Sequence, residues 1–117
     1  MDIGLIQQGD VLFHRIDRLP EGLEEKKPEN GRAVFAFGEA TGHHHSAAVL
    51  EERTETGGAA PNLRFYEKEG TLYVEVLRET EVIHPEHKPV SLSPGVYRRG
   101  IVREVDPFAG EVRKVMD

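Results

Sequence analysis

Short β-forming runs, cut at close intervals by glycine or proline, constrain this chain more than any other feature. Twelve glycines and seven prolines punctuate it. Between them lie runs rich in Val, Ile, Leu, Phe and Tyr at residues 11–16, 32–37, 46–51, 63–67, 71–77, 81–84 and 96–105. Runs of this length bounded by turn residues read as strands rather than helices. The clearest pair flanks Lys68-Glu69-Gly70, a turn ending in glycine between two β-forming runs, and reads as a hairpin. In the second run Leu72, Val74 and Val76 share one face and Thr71, Tyr73 and Glu75 the other, as a period of two requires.

About seven strands joined by short turns make an all-β chain, a small β-barrel or sandwich. At 117 residues the whole chain, 1–117, is expected to form one β-rich domain. The run 32–37, apolar on both faces, is expected at the centre of its sheet. Residues 18–31 are polar with Pro20, Gly22, Pro28 and Gly31, and read as an exposed loop. Gly100 inside the last run is expected to mark a bulge or bend. The tail changes character: Asp106-Pro107 is a helix-start signal, and Phe108, Val112 and Val115 fall on one helical stripe. One short carboxy-terminal helix is expected there.

Composition narrows the function classes. The formal net charge is −6, which argues against a general phosphate-backbone binder, although Arg98-Arg99 with Arg103 makes a local basic patch. No cysteine is present, so any metal site must use nitrogen and oxygen donors. The amino terminus lacks a basic region followed by an apolar core, and no apolar run approaches the roughly 20 residues of a membrane helix. A cytoplasmic protein with no membrane association is the expectation.

The chemistry-bearing residues are histidines. Gly38 and Gly42 bracket a turn followed by His43-His44-His45, and His84 and His87 flank Pro85-Glu86. In an extended segment His43 and His45 share a face while His44 points away. A His-x-His pair lets two imidazoles converge on one ion at about 2.0–2.1 Å. His84 and His87 need a tight turn to converge. With both pairs brought together, His43, His45, His84 and His87 form a candidate metal site, with Glu39 as a fifth donor. Zinc, iron, manganese, nickel and copper all accept such donors, so the pattern specifies a divalent transition metal and no particular one. His14 reads as a strand residue rather than a ligand. No Gly-x-Ser-x-Gly elbow and no phosphate loop occurs.

The His-x-His turn after a glycine, within a small all-β chain, resembles the first motif of the cupins over Gly38 to His45. That resemblance implies a metal-binding β-barrel of the kind found among oxygenases, isomerases and small-molecule sensors. It gives Glu51 or Glu52 the role of the carboxylate that follows the histidines. Pro94-Gly95 follows the second histidine pair instead of preceding a histidine. Over most of its length the chain is also similar to small bacterial and phage-type proteins that join a Thr-Gly-His-x-His turn to a later His-x-x-His and a Pro-Gly-Val-Tyr strand. That likeness carries no activity with it.

Two functions follow as expectations. One is a metal-binding β-barrel with its catalysis unresolved and its small-molecule ligand unknown. The other is a non-catalytic module that assembles as a homo-oligomer, with incidental or pH-sensing histidines.

Overall fold

A computed structural model describes residues 4–37, 44–53, 55–105 and 112–114. Fourteen strands, and no helix, occur among the described residues. The larger sheet has six strands, all antiparallel to their neighbours. Its members are β1 (Leu5–Gln8), β2 (Val11–Ile16), β3 (Glu24–Lys26), β8 (Leu63–Lys68), β9 (Thr71–Val76) and β12 (Gly95–Ile101). They lie in the order β1-β2-β12-β9-β8-β3. The smaller sheet contains β4 (Arg32–Phe37), β5 (His44–Ala48), β10 (Thr80–His84) and β11 (His87–Leu92), in the order β11-β10-β5-β4. Two short ribbons complete the description: β6 (Glu51–Arg53) with β7 (Ala59–Pro61), and β13 (Arg103–Val105) with β14 (Val112–Lys114).

The architecture is therefore all-β and sandwich-like. The two main sheets do not join into a closed barrel. Their inner faces meet over an aromatic core. Phe35 of β4 stands edge-on to Phe13 of β2 at 5.2 Å and to Phe65 of β8 at 6.5 Å. Such T-shaped contacts place the positive ring edge on the negative ring face. The alternation along β9 is as the sequence predicts, with Leu72, Val74 and Val76 buried.

The β8–β9 hairpin closes on Glu69 and Gly70, both at positive φ (50° and 81°). Lys68 pairs with Thr71 across them. Two residues at positive φ match the right-handed strand twist, and glycine adopts that conformation without strain.

Four expectations are corrected. The carboxy-terminal helix is not seen: Val112–Lys114 is a strand paired with Arg103–Val105. A β-branched residue in a pairable segment favours the ladder over a helix that contains Gly110. Asp106, Pro107, Phe108 and Val115 lie outside the described residues. Strand β4 is an end strand of its sheet, not a central one. It is apolar because Phe35 and Ala36 are both buried, at a register shift between Val34 and Ala36. A β-bulge of this kind turns two successive side chains inward.

Gly100 makes no bulge, since it pairs in regular register with Leu12. A Cβ there would sit 3.2 Å from the His14 ring, so the glycine makes room for His14. The segment 18–31 is not wholly loop, because Glu24–Lys26 adds the fully exposed strand β3 to the edge of the larger sheet.

Side-chain bonds fasten the layers. Gln8 of β1 donates to the Val82 carbonyl of β10 at 3.0 Å and to the Lys88 carbonyl of β11 at 2.9 Å. Asn62 accepts from the Leu50 amide at 2.7 Å and donates to the Ala48 carbonyl and to Thr80 Oγ1. At the far end, Arg15 lies over the Tyr97 ring and donates to the Pro94 carbonyl at 2.7 Å.

Candidate functional site

Three of the sequence-predicted histidines come together. Strand β5 runs antiparallel to β4 and β10, with Ser46 opposite both Val34 and Ile83. Ser46 lies on the outer side, where Arg32 Nε donates to its hydroxyl at 2.9 Å. His45, one residue earlier, therefore faces the interior and is 2% exposed. On β10, Thr80, Val82 and His84 are buried while Glu81 and Ile83 are exposed, so His84 faces inward too. The turn at Pro85-Glu86 brings His87 opposite His84 in the ladder.

The His45 ring centre lies 4.4 Å from that of His84 and 5.9 Å from that of His87. His84 and His87 are 4.6 Å apart. His44 lines a cavity with Arg32, Ser46, Ile83, His84 and Pro85, so His84 borders both this cavity and the cluster. His43 and Glu39 lie outside the described residues.

Two further residues belong to the cluster and escaped the sequence reading. Gln8 Oε1 is 2.9 Å from His45 Nδ1. The Gln8 amide nitrogen already donates to two carbonyls, so its oxygen must accept, and His45 Nδ1 must carry a proton. On the other side of the ring, His45 Nε2 stands 3.6 Å from Asp10 Oδ1. Both residues are buried, Asp10 to 6% exposure. That separation is too long for a hydrogen bond between these two atoms. In the sequence Asp10 is marked only as a turn residue after Gly9, ahead of the run 11–16. Burial of a carboxylate carries no periodic signature, and its partner lies 35 positions along the chain.

His84 is held differently. The Glu86 amide donates to His84 Nδ1 at 3.0 Å, which places a lone pair on Nδ1 and the proton of the neutral ring on Nε2. As a metal ligand through Nε2, His84 would have to surrender that bond. This is a physical reason why, among the described residues, no three histidine, aspartate or glutamate side chains stand ready to hold one ion. The two glutamates singled out after the histidines are on β6, exposed, and Glu52 pairs with Arg78.

A second polar feature adjoins the core. Arg99 of β12 reaches across to the end strand of the smaller sheet and donates to the Phe35 carbonyl at 2.6 Å. Burial lowers the guanidinium pKa from its ordinary value, against the opposing negative charges of Asp10 and Glu67. Arg99 was read from sequence as part of a surface basic patch. In the fold Arg98 faces solvent and Arg99 is half-buried between the layers.

No helix among the described residues is long and apolar enough to cross a membrane. No curated protein and no solved structure matches the chain. One family model matches residues 7–102, described as a domain of unknown function, DUF8820. That span runs from the residue before Gln8 past Arg99, and includes Asp10, His45, His84 and His87. The chain belongs to the DUF8820 family.

Proposed function

We propose that this chain binds one divalent transition-metal ion at the buried histidine–aspartate cluster, with His45 Nε2 and Asp10 Oδ1 as the first two donors. The observation that carries the reading is the 3.6 Å separation of those atoms together with the bond that fixes a proton on the opposite ring nitrogen. Bonds of about 2.1 Å to one ion across that separation subtend roughly 118°, between trigonal and tetrahedral. A ligating histidine characteristically donates its other N–H to an oxygen, the part Gln8 plays here.

His87 supplies the third donor after a ring rotation, being only half-buried. Imidazoles sharing an ion have ring centres roughly 4.5–6 Å apart, and the His45–His87 spacing of 5.9 Å falls in that range. His84 packs against both rings as a wall and keeps its bond to Glu86. The donor set is nitrogen and oxygen, which suits zinc, iron(II), manganese, nickel or copper. Two nitrogens and one oxygen leave a position for water or substrate, as catalytic sites require. The cupin-like sequence motif over Gly38 to His45 is part of this proposal and points to the same class of metal-binding β proteins.

The test uses tag-free protein purified without nickel resin, stripped with chelator, and titrated with zinc and with cobalt(II). One equivalent should bind, and the cobalt complex should show the visible bands of a low-coordinate nitrogen–oxygen site. Asp10→Asn and His87→Ala should each weaken binding at least about tenfold. His44→Ala, on the outer side, should leave it unchanged. Binding well below one equivalent, or binding lost with His44 and kept without Asp10 and His87, overturns the proposal.

A further inference from the structure

We infer that the cavity beside Arg99 is a binding site for a small organic monocarboxylate with an apolar body. The cavity, about 390 Å³, lies between the inner face of the larger sheet and β4. That volume falls at the lower end of small-molecule sites, which run from about 300 to 1,000 Å³. Phe35, Phe65 and Leu72 supply apolar walls, and the Arg99 guanidinium is set among them.

Charge decides the ligand class. Three cations line the cavity, Lys26, Lys27 and Arg99, against two carboxylates, Glu29 and Glu67. The site is thus net positive within a chain of net charge −6. Lys26 is already paired with Glu67 at 3.3 Å, at the exposed rim. Arg99 is different: its one hydrogen bond is to a neutral carbonyl, and its Nε is buried with no acceptor. A half-buried guanidinium left without a hydrogen-bonded carboxylate is the costly arrangement that an incoming anion relieves.

Arginine binds carboxylates and phosphates alike through planar donors. Here Glu29 and Glu67 at the rim repel a second negative charge, which favours a monoanion over a phosphate. The aromatic and aliphatic walls then take the body of the acid. This site does not rest on the metal, although the Asp10 charge of the neighbouring cluster also acts on Arg99.

The test is carried out on metal-stripped protein in chelator, so that carboxylate binding to a metal cannot contribute. Octanoate, benzoate and 2-naphthoate are titrated and followed by amide chemical-shift mapping and calorimetry, with octanol and octyl phosphate as comparators. At least one carboxylate should bind saturably, shift the amides of Phe65, Gly70 and Leu72, and bind at least about tenfold more tightly than octanol. Arg99→Gln should abolish that preference for acid over alcohol.

Arg99 also holds the Phe35 carbonyl, so a second variant guards against a folding defect. Lys27→Glu at the exposed rim should weaken the acid severalfold while leaving octanol unchanged. Equal binding of octanoate and octanol, tighter binding of octyl phosphate than of any carboxylate, or no saturable binding by the three acids overturns the inference.

Discussion

Replacing Gln8 by leucine tests the link between the architecture and the histidine cluster. Gln8 is 2% exposed and makes three side-chain bonds: to His45 Nδ1 at 2.9 Å, to Val82 O at 3.0 Å and to Lys88 O at 2.9 Å. Leucine has a similar volume, so the change removes bonds without opening a large void. Each neutral bond contributes about 1 kcal/mol net, and a buried donor left without an acceptor costs about 1–3 kcal/mol. The Val82 and His45 bonds are buried and the Lys88 bond partly so, which puts the loss at roughly 3–4 kcal/mol. Against a typical stability of about 5–15 kcal/mol that is a large fraction.

For a chain of this length the corresponding fall in Tm is roughly 10–15 °C. Urea unfolding followed by circular dichroism gives the free energy, and a thermal scan gives Tm. A loss below about 1 kcal/mol, with an unchanged denaturant slope, would refute the argument that Gln8 fastens the two layers. The same variant frees the His45 tautomer, so it should also weaken any zinc affinity by about 10–100-fold.

Asn62→Leu should destabilise by about 2–3 kcal/mol, because the part-buried Leu50 amide and Ala48 carbonyl and the buried Thr80 hydroxyl all lose their side-chain partner. Chemical denaturation measures it. Tyr66 titrates above its ordinary 10.0, first because of burial and then because of the Glu75 charge and hydrogen bond. A raised folded-state pKa contributes stability that is present below the unfolded value and lost as pH rises through the folded one. Urea midpoints from about pH 9 to about pH 11.5 should therefore fall less steeply for Tyr66→Phe than for the parent chain.

How far the fold could be read from the sequence depended on where the pairing information lay. Strands β2 and β4 fall at the expected residues 11–16 and 32–37, and the β8–β9 hairpin sits on its glycine turn. In these places periodicity and local turn chemistry agree. Strand β11 carries Pro89, which argues against a strand in the sequence, yet β11 is an end strand, where a missing amide donor is tolerated. Strand β5 begins at His44, two residues before the expected start. Histidine has no strong strand preference, and it is the ladder to Phe37 and Ala36 that extends the segment.

In the site, the meeting of His84 with His87 follows from the Pro85-Glu86 turn that the sequence marks, and His45 joins them through the ladder of β5 with β10. Gln8 and Asp10 carry no such mark. Their roles arise from burial against residues dozens of positions away, which no local pattern encodes.

The placement of β12 has a consequence for how the chain is made. It pairs with β2 on one side and β9 on the other, so Val11 meets Ile101 across ninety positions of sequence. During synthesis β2 must wait for about ninety further residues before its second neighbour emerges, leaving one ladder open. Pairing over such separations pays loop closure before any reward and is slow. While it waits, the open flank of β2 invites the wrong strand or a second nascent chain, and a holding chaperone would act on that stretch first.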